Sequence, residues 1–220
     1  MNRGAARRPI FRDDLDRHVF LNLIDGAVSK YEIELHAYCL MGNHFHLLVR
    51  TPYPNLDRYM QHLCSQYVKL FNRRHGLDGP LCRSRYTAKP VESEVYAVTL
   101  ARYIHRNPID LGVTDLRTYR WSSYQAYLDV TVQPWWLETA TLLRTVGGVS
   151  GLRMLVEDPR RTDVDELFKD GRVPDAIGSP EFIANVVADT ANSRDDKQQP
   201  AATTSGTTSG TVSGTVPEVG

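Results

Sequence analysis

Apolar side chains recur three or four residues apart in three long stretches of the chain. This spacing predicts amphipathic helices over residues 13–30, 55–75 and 94–107. Asp13 or Asp14 is placed to cap the first helix, and Gly76 is placed to end the second. Pro108 directly follows the third helix and stops it, since a proline cannot continue the helical hydrogen-bond pattern.

Two shorter apolar runs, 32–40 and 44–50, follow the first predicted helix and flank a Gly-Asn pair. Short β-rich runs on either side of such a pair predict two strands joined by a tight turn. A further short strand is predicted near 86–91, after a loop that contains several Gly and Pro residues. The first part of the chain therefore mixes helices and strands.

The hydrophobic pattern changes after residue 128, and we divide the chain into a domain at 1–128, a small helical extension at 129–190 and a tail at 191–220. The extension is predicted to contain short helices over Trp136–Thr145, Gly151–Glu157 and Val164–Phe168, and a Ser179-capped helix within 177–187. The tail is rich in Thr, Ser and Gly and nearly repeats the sequence TTSG, which predicts disorder.

The net charge of the chain is zero, but the charges are unevenly distributed. Residues 1–128 carry 18 Lys and Arg against 12 Asp and Glu, whereas residues 129–220 carry 8 against 14. A basic domain with an acidic extension is typical of a nucleic-acid binder, and an ordinary solvated surface also accounts for an excess of this size.

Composition narrows the classes of protein further. No apolar run approaches the roughly 18–20 residues that span a bilayer, and the basic N-terminal residues are not followed by the apolar segment of a signal peptide. We therefore expect a cytoplasmic protein that does not enter a membrane. The cysteines are three in number and widely spaced, without a C-x-x-C pair, so we expect reduced thiols rather than a structural zinc site.

His44 and His46 lie in the second predicted strand with Phe45 between them. Because side chains alternate faces along a strand, both imidazoles point to one side and Phe45 points to the other. Two imidazoles about 7 Å apart on one rigid face are well placed to share a metal ion. Two polar residues on a solvated face would show the same pattern.

Tyr103 and Asn107 are four residues apart in the helix predicted over 94–107, so they share a face of that helix. A phenol and an amide oxygen on one face are suited to act as a nucleophile and a metal ligand, although a tyrosine near a helix end often only packs. Tyr96, about two turns earlier on the same side, and Tyr86 remain alternative nucleophiles.

Basic residues form two groups that are candidates for binding a nucleic-acid backbone. Arg73 and Arg74 lie in the last turn of the second predicted helix, where they either grip phosphates or complement the helix dipole. Arg83, Arg85 and Lys89 alternate along the segment that leads to residue 91, with Tyr86 among them. That segment is either a track for a nucleic-acid backbone or a strand edge protected by charge.

Three sequence blocks resemble one known family. The stretch YCLMGNHFHLLV, with a histidine on each side of a bulky apolar residue, resembles the HUH motif. The stretches LARYIHRNPIDLGV and YRWSSYQAYL resemble the tyrosine-bearing segment of the REP-associated tyrosine transposases, which are HUH single-tyrosine transposases. The stretch FNRRHGLDGPLCRSRYTAKPVE resembles the middle segment of that family. The resemblance extends over about residues 2–128.

The resemblance implies that Tyr103 is the catalytic nucleophile and that His44, His46 and Asn107 bind a divalent metal ion. A mixed nitrogen and oxygen site of this kind suits Mg²⁺ or Mn²⁺. The implied substrate is single-stranded DNA that carries a hairpin, cut through a 5′-phosphotyrosine intermediate by a monomer or homodimer. The alternatives are a domesticated or truncated protein that binds hairpins without cutting them, and a phosphodiesterase that uses water as its nucleophile.

The fold implied by the resemblance is α+β and ferredoxin-like: an antiparallel sheet with helices on one face, followed by the tyrosine helix. The sequence departs from this pattern at one point. Family members begin with a strand that ends in a turn like Asn2-Arg3-Gly4, and this chain starts at the turn. We therefore expect the first strand to be missing, either because the coding sequence begins upstream or because the copy is truncated.

Overall fold

The structure is a computed structural model that describes residues 1–82, 85–159 and 175–195. Within these ranges the chain forms an α+β fold with a three-stranded antiparallel sheet. The strands are β1 (Asn2–Arg3), β2 (Glu34–Leu40) and β3 (His44–Arg50). The described α-helices are α1 (Asp14–Tyr31), α2 (Leu56–His75), α3 (Glu94–Arg106), α4 (Tyr124–Leu128), α5 (Ala140–Val146), α6 (Val149–Glu157) and α7 (Pro180–Asp195). Short 3-10 helices cover Ala5–Arg7, Asn107–Leu111, Leu116–Thr118 and Val130–Val132.

The three long helices and the two central strands form where the sequence predicts them, and the capping residues are those expected. The Asp13 carboxylate accepts a hydrogen bond from the Asp16 amide at 3.1 Å and so caps α1. Gly76 ends α2 with a left-handed backbone at φ 63°, which costs glycine little because it has no Cβ. The predicted strands at 32–40 and 44–50 correspond to β2 and β3.

The sheet is covered on both of its faces. On one face, α1 and α2 pack against an aromatic cluster that includes Phe11, Phe20, Phe45 and Tyr67. On the other face, α3 packs against Ala37, Cys39 and Leu48 through Val98, Ala101 and Ile104. The paired layer α1–α2 therefore lies opposite the helix that carries Tyr103, with β3 between them.

The sheet differs from the prediction in two details. A short first strand is present, because Asn2 and Arg3 of the expected turn form the two-residue β1 and pair antiparallel with Phe45 and His44, which places β1 beside β3. No strand forms over 86–91, where Thr87 bonds to Met1 and Val91 makes an isolated bridge to Ile177. This segment and residues Leu47 to Arg50 of β3 line the same cavity.

The described part of the extension packs on the first domain rather than standing apart from it. Leu142, Leu152 and Val156 are buried in the same cluster as α3. The Ser179 hydroxyl accepts a hydrogen bond from the Phe182 amide at 3.2 Å, as expected of the cap of α7. The helix predicted over Val164–Phe168 and the tail beyond residue 195 lie outside the described residues, and the division at residue 128 stays a prediction.

None of the described helices has both the length and the apolar composition that crossing a membrane requires.

Candidate active site

β3 presents its residues to two different environments, as the alternation of a strand requires. Phe45 is 1% exposed and packs 4.7 Å from Phe20 between ring centroids, on the side of α1 and α2. His44 and His46 point the other way, toward α3, with ring centroids 5.0 Å apart and ring planes at 83°. The prediction that the two imidazoles share one face and Phe45 takes the other is confirmed.

Tyr103 lies on the face of α3 that is turned toward this pair. Its ring contacts the His46 ring edge-to-face, with centroids 5.5 Å apart and planes at 88°. Tyr96 packs with Ile177 and Leu100 in a neighbouring apolar cluster, and Tyr86 borders the aromatic cluster. Of these three tyrosines, Tyr103 is the one that contacts a histidine of the pair.

Asn107 lies one turn beyond Tyr103 and is 6% exposed. Its Nδ2 donates a hydrogen bond to the Tyr103 carbonyl oxygen at 2.8 Å, which fixes the orientation of the amide. The side chain also interacts with His44, His46 and Tyr103, so the amide lies among the three rings. The structure thus brings together the four residues that the sequence suggested for nucleophile and metal binding.

The electrostatic environment keeps both imidazoles neutral and the phenol protonated. Burial lowers the pKa of His46 well below its ordinary value, and the adjacent His44 lowers that pKa further. The pKa of His44 is lowered first by burial and then by the Arg3 charge. Burial and the Asp110 carboxylate raise the pKa of Tyr103, whereas Arg3 and Asn107 lower it. Neutral imidazoles are the form that binds metal.

The residues present fit a divalent metal ion. His44 Nδ1 lies 2.7 Å from Asn43 Oδ1, so Nδ1 carries the proton and Nε2 keeps its lone pair. His46 Nε2 is buried and has no hydrogen-bond partner among the described residues. Within that part of the chain, no group of three or more His, Cys, Asp and Glu side chains is arranged to hold a metal. Two imidazoles and one amide therefore form the available ligand set.

A cavity of about 1060 Å³ opens beside the site. His46 and Tyr103 line one end of it, and it continues along β3 as far as Thr51. The segment from Tyr86 to Glu94 also lines this cavity. The Tyr103 side chain therefore borders a space that extends along β3.

The predicted DNA-binding residues occupy several different environments. Arg73 is exposed at the end of α2, whereas Arg74 binds Asp13 at 2.6 Å and the buried Asp16 at 2.5 Å. Lys89 pairs with Asp175 at 2.6 Å. Arg85 is exposed, and Arg83 lies outside the described residues. The ion pairs give Arg74 and Lys89 structural roles, and DNA binding by this set stays a prediction.

Two charged residues near the site were not identified from the sequence. Arg3 pairs across the sheet with His44, and Asp110 lies in the 3-10 helix that follows α3. The charge of each acts on His44 and on Tyr103. No spacing pattern joins residue 3 to residue 44, because only the pairing of β1 with β3 makes them neighbours.

His105 shows that proximity to Tyr103 in sequence does not place a residue in the site. It points into the core and is fully buried, with Nε2 2.9 Å from Ser123 Oγ. Burial lowers its pKa to about 3, so this imidazole is neutral in the folded protein. Its neighbours Tyr124 and Tyr127 pack against its ring and separate it from solvent.

The fold and the site together define an α+β protein in which a strand-borne histidine pair faces a tyrosine on a helix. A family model described as Transposase IS200 like matches residues 1–107, which include His44, His46, Tyr103 and Asn107. No curated protein and no solved structure gives a significant match to the chain. The matched part of the chain is therefore similar to the IS200-like transposases.

Proposed function

We propose that the protein is a single-stranded DNA endonuclease and strand transferase that uses Tyr103 as a covalent nucleophile. The observation that carries this proposal is the convergence of α3 on β3: the Tyr103 ring contacts His46, which contacts His44. The family match supports the transposase class, and the site supports this particular chemistry within it.

In the proposed reaction, Tyr103 Oη attacks the phosphorus of a DNA phosphodiester. A bond forms between Oη and phosphorus, and the bond from phosphorus to the 3′ oxygen breaks. The phenolic proton is lost to water, and the departing oxygen takes up a proton to give a free 3′-hydroxyl. The product is a 5′-phosphotyrosine, which keeps a phosphoester bond that a second 3′-hydroxyl can attack in the reverse direction.

A phenol is a weak nucleophile at neutral pH, and here burial raises the pKa of Tyr103 further. The contribution of the chain is therefore to hold the phenol and the phosphate in the geometry of attack. The Asn107 side chain, anchored on the Tyr103 carbonyl oxygen, and the His46 ring orient the phenol from two sides.

A divalent ion, Mg²⁺ or Mn²⁺, would be held by His44, His46 and the Asn107 amide oxygen. When bound, it would supply positive charge that polarises a non-bridging phosphate oxygen. Asn43 would keep the His44 ring in the tautomer that leaves Nε2 available as a ligand. The other elements of the proposal are a hairpin-containing DNA substrate, a cytoplasmic location and action as a monomer or homodimer.

The test is formation of a covalent adduct between the protein and DNA. Purified protein is incubated with Mn²⁺ and end-labelled single-stranded hairpin oligonucleotides from the sequence flanking the gene, and the products are separated on a denaturing gel. We expect a slowly migrating, protease-sensitive band that is absent for Tyr103→Phe. Tyr96→Phe is the matched control, because Tyr96 lies on the same helix and packs among apolar residues.

Three outcomes would contradict the proposal in different ways. Hairpin binding without any adduct would indicate a binding protein that does not cut. Cleavage without a covalent adduct would indicate a phosphodiesterase with a water nucleophile. An adduct that persists in Tyr103→Phe and disappears in Tyr96→Phe would assign the nucleophile to the other tyrosine.

A further inference from the structure

Arg3 lies beside the histidine pair because β1 pairs with β3. Its Cα is directly opposite that of His44, and residues directly opposite each other in an antiparallel sheet project to the same face. The Arg3 side chain therefore belongs to the face that carries His44, His46 and the approach to Tyr103. Its charge acts on all three of these residues.

The guanidinium of Arg3 has no anionic partner among the described residues. The side chain is half-buried, and its Nε is inaccessible to solvent and makes no hydrogen bond within this part of the chain. Two arginines near the first helix do have carboxylate partners: Arg74 pairs with Asp13 and Asp16, and Arg17 pairs with Asp14. Holding an arginine partly buried without a counter-ion costs free energy, which an incoming anion would recover.

The charges of the site as a whole also favour an anion. Arg3 carries one positive charge, and a divalent ion at the histidine pair would add two more. Asp110 is the acidic group whose charge acts on His44 and Tyr103. A phosphodiester has one negative charge, and negative charge on its non-bridging oxygens grows as the phenol attacks.

We propose that Arg3, which lies beside the metal-ligand candidate His44, binds a non-bridging oxygen of the scissile phosphate and stabilises the charge that develops during attack by Tyr103. A guanidinium suits this role because its planar fork of N–H donors matches the oxygens of a phosphate. This inference rests on the proposed function and adds to it a residue that contacts the reacting group.

The experiment compares Arg3→Gln and Arg3→Lys with Arg8→Gln, which removes an exposed arginine from the same N-terminal segment. For each protein we would measure the rate of adduct formation, the affinity for Mn²⁺ by electron paramagnetic resonance, and the melting temperature. Arg3→Gln should slow adduct formation by about 10²–10³-fold, the loss typical of removing one donor to developing charge. Arg3→Lys should recover part of that rate, and Arg8→Gln should stay within about twofold of wild type.

Mn²⁺ affinity separates binding of the phosphate from a merely structural role. Removing a positive charge next to the metal ligands should leave Mn²⁺ affinity unchanged or increase it, while the reaction slows. If Arg3→Gln instead weakens Mn²⁺ binding and lowers the melting temperature, the residue supports the fold and the inference is wrong. Equal rates for Arg3→Gln and Arg8→Gln would also overturn it.

A failure of the proposed function can be distinguished from a failure of this inference. If the wild-type protein forms no adduct, binding of single-stranded oligonucleotides is measured at several salt concentrations in the presence of Mn²⁺. Arg3→Gln should then weaken binding and reduce the slope of log affinity against log salt concentration by about the value of one phosphate contact. Arg8→Gln should leave both unchanged. Identical salt dependence for the two variants would contradict phosphate binding by Arg3.

Discussion

The two sides of β3 are built from alternate residues of one heptapeptide and differ in almost every physical respect. On the side of α1 and α2, Phe45 lies within a continuous set of aromatic rings that includes Phe20 and Tyr67. On the side of α3, the His44 and His46 rings contact each other, and His46 also lines a cavity. The first side buries an aromatic ring of β3, whereas the second carries the buried Nε2 of His46, which has no hydrogen-bond partner among the described residues.

This difference shows how a short strand can serve stability and chemistry at once. The aromatic side fixes the position of β3, because close-packed rings allow little movement of the backbone that carries them. The histidine side can then keep the buried Nε2 of His46 without a hydrogen-bond partner at a well-defined place. The strand is therefore held by one face so that the other face can bind a ligand.

The largest effect on stability is expected from a substitution in the aromatic cluster that packs against β3. Phe45→Ala should lower the free energy of unfolding by about 3–5 kcal/mol, because it leaves a cavity in a fully packed cluster. His46→Ala, on the other side of the same strand, should cost less than about 1 kcal/mol, because it removes a buried nitrogen that lacks a partner. Urea unfolding measured by circular dichroism gives both values.

For metal binding we expect the reverse order, with the larger loss in His46→Ala and the smaller loss in Phe45→Ala. His46→Ala should lose Mn²⁺ binding while staying folded, whereas any Phe45→Ala protein that remains folded should keep the two imidazoles. Comparable losses of stability in both variants would mean that Phe45 and His46 contribute equally to the stability of the fold, which would contradict the contrast between the two sides of β3.

We expect pH to have an intermediate effect on the free energy of unfolding. The group responsible is His105, a buried imidazole on α3. The pKa of His105 is about 3 in the folded protein, against about 6.5 in an unfolded chain. Below pH 6.5 the unfolded state binds a proton that the folded state does not, so stability falls as the pH falls. Between pH 6.5 and pH 5 the loss should be about 1.5 kcal/mol.

His105→Gln should make the free energy of unfolding depend less steeply on pH over this range, measured by urea titrations without added metal. Asp13 does not interfere, since Arg74 lowers its pKa to about 2 and its titration falls below the range. An unchanged slope in the variant would show that the folded protein already accepts the proton on His105.

The smallest effect concerns the ion pairs that join α1 to α2. Arg74→Gln removes two contacts of the Arg74 guanidinium, with Asp13 and the buried Asp16, and should lower the melting temperature by about 2–4 °C. Arg73→Gln is the matched control at the neighbouring exposed position. It should leave the melting temperature unchanged and weaken binding of single-stranded DNA by a few-fold. The reverse result would make Arg74 the DNA contact.

Local patterns were sufficient to predict the three long helices α1, α2 and α3, the β2–β3 pair and the common face of His44 and His46. The prediction failed at 86–91, where alternating basic residues suggested a strand. A strand depends on a partner, and among the described residues the backbone of this segment bonds to Met1 and Ile177 rather than to a strand of the sheet. Arg74 was also ambiguous from sequence, because the buried Asp16 that binds it lies 58 residues earlier in the chain.

The sequence by itself determined which residues have reactive side chains and how they are spaced. His44 and His46 are two residues apart in a strand, and Tyr103 and Asn107 are four residues apart in the predicted helix. These are properties of neighbouring residues, which local backbone geometry fixes. Only the tertiary structure decided that α3 lies over β3 with the Tyr103 ring against His46, and that Arg3 lies opposite His44. Those contacts join residues that are distant in the chain, and packing of the whole domain brings them together.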